Sequence, residues 1–273
     1  MALGAADQVW RVRRAPRCST SIRVVVDSLL LAAFFFVAAI LYATVGHAGA
    51  SAYLAIMGLL GVAPDVARPT ALALNIVVAS LVSYRFWRGG YVSGQALAPF
   101  LIGSVPLAFF GGTLPVAPSL YKQLVGIVLL AAAAAVSITA RRAAQTDTGR
   151  AVPSVPFLPA MLVGGVIGLL SGLTGTGGGI FLSPVLLLAR WSETRAASGI
   201  ASAFIIANSI AGLAGNVARL AAVPPALPLW IAAVIAGAIL GSEIGNRQGH
   251  TLLLRRALSL VLVIAGLKLI LFG

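Results

Sequence analysis

The chain has 273 residues, 60% of them hydrophobic and 9% charged, with a mean hydropathy of +1.03. That balance excludes an ordinary soluble domain, and it turns the net charge of +13 into a signal of membrane topology rather than of nucleic-acid binding, because the cations sit between apolar runs. The single cysteine, Cys18, excludes a disulfide framework, and with His47 and His250 as the only histidines no metal site or cofactor motif is expected.

Residues 1–24 carry Arg11, Arg13, Arg14, Arg17 and Arg23 and are expected to form a basic cytoplasmic tail. Ten apolar runs follow, at about 25–45, 50–62, 70–87, 95–114, 120–140, 157–174, 178–189, 197–217, 226–246 and 252–272. They are continuously apolar rather than alternating, so the expectation is an all-α polytopic membrane protein and not a β-barrel. The second and seventh runs are short for a bilayer. If both dip in and return, 12 of the 19 Lys and Arg residues fall on one side. The reading is therefore eight spanning helices plus two short broken or re-entrant ones. It divides the chain into a first membrane repeat (25–140), a polar cytoplasmic linker (141–156, RRAAQTDTGRAVPSVP) and a second repeat (157–273). Four crossings in each half make the repeats parallel and in tandem.

The duplication itself is read from the glycine clusters Thr44–Ala55 (TVGHAGASAYLA) and Thr174–Pro184 (TGTGGGIFLSP). One shift of 129 positions carries Gly46 onto Gly175, Gly49 onto Gly178 and Ser80 onto Ser209. Helices broken by glycine at matching places in two halves point to a transporter site between the repeats. Gly175, Thr176, Gly177, Gly178 and Gly179 are expected to break the helix and to leave the amides of the next short helix facing a cavity, a ready anion site. The other reading of such clusters is close helix packing. Ser51, Thr174 and Thr176 add hydroxyls beside the turns. No Lys or Arg is expected at depth, and a cation transporter would more often show a buried carboxylate. Glu243 is read as a helix-end residue within reach of headgroups, or as a proton relay. His47 either handles a coupling proton or fills the first turn by hydrogen bonding. Asn75 and Asn208 lie in apolar helices, and a buried amide there bonds the broken backbone or touches the solute. With alanines in place of glycines at 48 and 50, the first turn is expected to matter less than the second.

The run GLLSGLTGTGGGIFLSPVLLL, followed by RAASGIASAFIIANSIAG, resembles the TauE/SafE family of membrane permeases over about residues 27–272. The first half departs from that pattern at Gly46-His47-Ala48-Gly49-Ala50, and Ala55 stands where the second half has Pro184. The resemblance implies a multi-pass protein of the bacterial plasma membrane that moves sulfite, sulfonates or related sulfur-containing anions. The partners it implies are a small anionic solute and the lipid bilayer, with assembly into a homo-oligomer left open. An anion channel and a membrane subunit of a larger complex stay open as alternatives. An enzyme is excluded, since no serine with a paired base recurs in the pattern of a hydrolase.

Overall fold

A computed structural model describes residues 17–142, 155–246 and 251–271, and everything it describes is helix or short connection. In chain order the helices are α1 Arg17–Thr44, α2 Ala50–Leu59, α3 Pro64–Arg88, α4 Gly94–Thr113, α5 Pro118–Arg142, α6 Phe157–Thr174, α7 Gly179–Leu188, α8 Thr194–Gly215, α9 Leu227–Asn246 and α10 Thr251–Leu271. A 3-10 turn, Val217–Ala222, follows α8. The boundaries follow local chemistry. Pro64 and Asp65 open α3, and Arg85 and Arg88 close it, each charge complementing the helix dipole. Ser93 caps α4, its hydroxyl accepting from the Ala96 amide.

Among the described residues six helices are long and apolar enough to cross a membrane, namely α3, α4, the Pro118–Ser137 part of α5, α6, α8 and α9. The most buried are α3 and α8, at 67% and 61% against 28% for α9, so this pair forms the middle of the bundle. The outer helices turn large apolar side chains outward, among them Phe34, Phe110, Leu162 and Leu260, in a surface suited to lipid.

Glycine stripes bring the outer pairs into backbone contact. Gly164, Gly168 and Gly172 of α6 lie against the carbonyls of Phe100, Ser104 and Ala108 of α4, where a Cβ would stand only 2.1–2.4 Å from oxygen. Gly237, Gly241 and Gly245 of α9 meet the carbonyls of Phe36, Ile40 and Thr44 of α1 in the same manner. Small residues at such a spacing let helices associate where no hydrophobic force separates protein from lipid.

The same contacts fix helix direction. Both of those pairs are parallel. In contrast α3 and α8 are antiparallel, with Leu72 near Gly212 and Phe86 near Gly199. So are α5 and α10, with Gly126 near Gly266 and Ser137 bonded to Ser259.

This path corrects one expectation. The short segments do not dip in and return. The first turn begins where α3 ends, with Gly46 against Phe86. The Ala50 amide then bonds Asn75, halfway along α3, and α2 finishes where α3 begins, with Lys268 donating to the Leu59 carbonyl. The second segment runs the opposite way, from Gly175 against Arg68 near the start of α3 to Trp191 beside Phe100 near the start of α4. Each turn and its short helix therefore make one pass between the two ends of the bundle. Consequently α1 begins and α5 finishes at opposite ends, which disagrees with eight crossings and with four passes per half. The physical reason is the turns: five irregular residues before α2 and four before α7 cover the depth that a ten-residue helix cannot. The expected tail at 1–24 lies largely, and the linker at 141–156 mostly, outside the described residues.

Candidate functional site

The two short helices start near the centre of the bundle and point their N-termini toward α3 and α8. Gly49 and Gly178 are their N-cap residues, at φ 100° and 78°, a left-handed conformation that only glycine adopts freely. Being glycines, neither supplies a side-chain cap of its own.

Asn75 of α3 is the hub. Its Oδ1 accepts from the Ala50 amide at 3.0 Å, which caps α2. Its Nδ2 donates to the Thr176 carbonyl at 3.3 Å and reaches the Ser209 hydroxyl of α8 at 3.4 Å. One side chain thus joins both turns and both central helices, and it is only 1% exposed. Gly177 packs against it so tightly that a Cβ would stand 2.2 Å from Nδ2.

Around this hub the first turn is held by its own residues. Ser51 shares a short hydrogen bond with the Tyr42 hydroxyl, and Tyr53 donates to the Ala48 carbonyl at 2.9 Å. His47 Nδ1 lies 3.0 Å from the Val45 carbonyl, and its Nε2 lies 3.0 Å from the Ser183 hydroxyl of α7. In the second turn the Gly175 amide donates to Ser171, and Thr174 bonds both the Leu170 carbonyl and the Thr176 hydroxyl. Among the described residues the amides of Gly177, Gly178, Gly179 and Ile180 make no hydrogen bond within the chain. Four amides at the positive end of a half-helix, with hydroxyls nearby, form a candidate electropositive site made by the backbone.

Of the residues singled out in the sequence, Gly49, Asn75, Thr176, Gly177 and Gly178 meet near the middle of the bundle, whereas Gly46 lies against Phe86 at the end of α3 and Gly175 against Arg68 near its start, with His47, Ser51, Thr174 and Gly179 in the turns and short helices between. Asn208 stands apart, since its Nδ2 bonds the Phe204 carbonyl of its own helix and its buried Oδ1 has no partner. Ser80 is exposed and bonds Ile76, although its aligned partner Ser209 is at the hub. Glu243 pairs with Arg85 at 3.1 Å at a solvent-facing helix end, in keeping with the helix-end reading.

Two residues at the site escaped the sequence reading. Arg68 is 2% exposed and donates to the carbonyls of Gly111, Gly112 and Leu114 of the α4 terminus and of Gly172 of α6. Tyr121 donates to the Thr174 carbonyl at 3.0 Å. A signal existed for Arg68. Pro64 and Asp65 form a helix start, which places Arg68 a turn inside α3 rather than in the loop before it.

A bundle of apolar helices around a buried polar centre, where two broken helices meet, defines a multi-pass membrane protein. Residues 30–269 match the family described as Sulfite exporter TauE/SafE, and the chain belongs to that family. It is 39% identical over 246 residues to the "Probable membrane transporter protein y4hK" of Sinorhizobium fredii (strain NBRC 101917 / NGR234), a match covering 89% of this chain and 98% of that protein. No solved structure matches the chain.

Proposed function

We propose that the protein is a secondary transporter that moves small anions, sulfur-containing oxyanions such as sulfite or sulfonates first among them, across the plasma membrane by alternating access. The observation that carries this reading is the set of free amides at the α7 N-terminus, at mid-depth and with no carboxylate beside it. The described carboxylates, Asp65, Glu193 and Glu243, lie at the ends of the bundle. Backbone dipoles select for negative charge without fixing which anion. The family and its y4hK relative supply the transport half of the reading, and the resemblance to sulfite and sulfonate permeases supplies the sulfur chemistry.

The transporter is read as two inverted copies of five helical elements, ten passes in all, rather than tandem copies of four. Three left-handed pairs fall on the single shift of 129: Gly46 with Gly175, Gly49 with Gly178, and Gly61 with Arg190. Helices α2 and α7 obey the same shift at both ends. The helix contacts repeat as well, α4 on α6 mirroring α9 on α1, with α3 on α8 and α5 on α10 pairing equivalent elements. Equivalent helices that run antiparallel require a two-fold axis in the membrane plane.

A channel is the second reading. Against it stands a site shut from both ends, with Asn75, Thr176 and Ser209 at 1%, 4% and 0% exposure. The test is flux into proteoliposomes of sulfite, sulfate, thiosulfate and toluenesulfonate. Saturating uptake that responds to an imposed proton or sodium gradient is expected. Flux that stays linear with concentration sinks the transporter in favour of a channel, and no flux of any anion sinks the solute class.

A further inference from the structure

Arg68 is a buried cation whose hydrogen bonds do not account for it. It sits one turn inside α3 in an apolar bundle, where a charge is costly unless a counter-charge lies close by. Among the described residues no carboxylate bonds it. Asp65, the nearest in sequence, is bonded instead to Arg219 at 2.9 Å. Every acceptor that Arg68 uses is a neutral carbonyl at a helix C-terminus. Such dipoles ease the charge and orient the guanidinium, yet they leave it a net cation. Two of the four bonds are long, at 3.4 Å to Leu114 and 3.5 Å to Gly112, and so are readily exchanged. The Nε–H is buried with no acceptor at all. An arginine present only to tie helix ends together would not strand its most rigidly placed donor.

Its neighbours say where the missing acceptor belongs. A Cβ on Gly175 would lie 3.2 Å from the Arg68 Cα, so the arginine flanks the turn whose amides open α7 two residues later. Tyr121 lines the same place, its hydroxyl on the Thr174 carbonyl and its ring centre 6.0 Å from the guanidinium carbon. At the opposite end of the bundle Arg195 donates to the Tyr91 hydroxyl at 3.2 Å and lies 5.8 Å from its ring centre, but it is exposed where Arg68 is buried. The position related to Arg68 by the shift of 129 is Ala197, and contact there is made by Gly199 against the Tyr91 carbonyl.

We propose that Arg68 forms a second anion site, a receiving station at one mouth of the solute path, where an oxyanion of the sulfite, sulfonate or carboxylate kind takes the Nε–H and displaces the long carbonyl bonds. The guanidinium fork suits such oxygens bidentately. A lipid phosphate is the other source of the same chemistry, but a side chain 2% exposed is out of a headgroup's reach. The inference rests on the anion reading of the central site and adds a buried cation beside the second turn.

The test uses the full chain purified in detergent, its thermal unfolding followed against sulfite, sulfate, thiosulfate and toluenesulfonate at constant ionic strength, for wild type, Arg68→Lys, Arg68→Gln and Gly177→Ala. Wild type is expected to be stabilised by at least one of these anions. Arg68→Gln should need about tenfold or more of that anion for the same shift, the value of one charge-assisted hydrogen bond, and Arg68→Lys should recover part of the loss. An Arg68→Gln protein that unfolds earlier without anion yet responds to anion like wild type would reduce Arg68 to a helix cap and overturn the proposal, leaving the central site standing. A wild type that no anion stabilises, with Gly177→Ala equally unresponsive, overturns this inference and the anion reading together. If Gly177→Ala loses the response and Arg68→Gln keeps it, the central site alone binds and the second site is wrong.

Discussion

Replacing Gly177 with alanine separates the cost of a strained turn from the cost of losing the hub. Gly177 has φ 74°, and an alanine there carries about 1–2 kcal/mol of left-handed strain. Gly61 has nearly the same φ, 73°, but open space around it, so Gly61→Ala pays the strain and nothing else. At Gly177 the new methyl would stand 2.2 Å from Asn75 Nδ2 and 3.0 Å from the Ser209 hydroxyl. Asn75 must swing away, giving up its bonds to Ala50, Thr176 and Ser209. At about 0.5–1.5 kcal/mol each, with the longer two at the low end, those bonds add roughly 2 kcal/mol. Gly177→Ala should therefore lie about 3–4 kcal/mol above the working conformation, enough to lower its population a hundredfold or more. Initial sulfite uptake by proteoliposomes at matched protein density, beside unfolding temperatures, provides the measurement. Gly61→Ala should keep most of its flux. Equal flux from the two variants would show that Asn75 holds nothing in place that transport needs.

Asn75→Asp keeps an acceptor for Ala50 but loses both donated bonds and sets a negative charge at the site, so anion uptake should fall more than tenfold while the protein still folds. In a Cys18→Ser background, Gln95→Cys and Ser192→Cys should react with an impermeant maleimide from one side of the membrane, and Ala117→Cys and Pro225→Cys from the other. Labelling of Gln95→Cys and Ser192→Cys from opposite sides would restore eight crossings. Glu243→Gln breaks an ion pair whose side chains are 35% and 60% exposed, so stability should change by less than about 1 kcal/mol and flux by less than twofold. A lost proton dependence in that variant would make Glu243 the relay instead.

The helices and the two glycine turns were legible in the sequence because both depend on local chemistry. A ten-residue apolar run between glycines can be little else than a half-helix, and it is found at Ala50–Leu59 and Gly179–Leu188. Direction was not legible. It rests on which helices touch, and the charge rule used in its place assumes that arginines report topology. Here several arginines have other work. Arg68 knits helix ends, Arg219 bonds Asp65 and Arg85 bonds Glu243. Asn208 drew attention for the same reason as Asn75, an amide in an apolar helix, and the sequence cannot say which of two such amides faces the turn.

The departure of the first turn from the glycine pattern acquires a physical meaning at Asn75. A half-helix N-terminus in a membrane interior must have its leading amides satisfied. At α2 the Asn75 carbonyl oxygen fulfils part of that need permanently, with alanine at position 50 and His47 bridging to Ser183. At α7 no side chain does so, and Asn75 presents its donor side there, to the Thr176 carbonyl. With its oxygen turned to the Ala50 amide and its nitrogen to the Thr176 carbonyl, Asn75 caps the first half-helix and not the second. The half-helix left uncapped is the one with three glycines, whose amides a solute oxygen can approach most closely. On the proposed anion reading, Asn75 thus makes the two half-helix starts unequal, satisfying one leading amide of the first and none of the second.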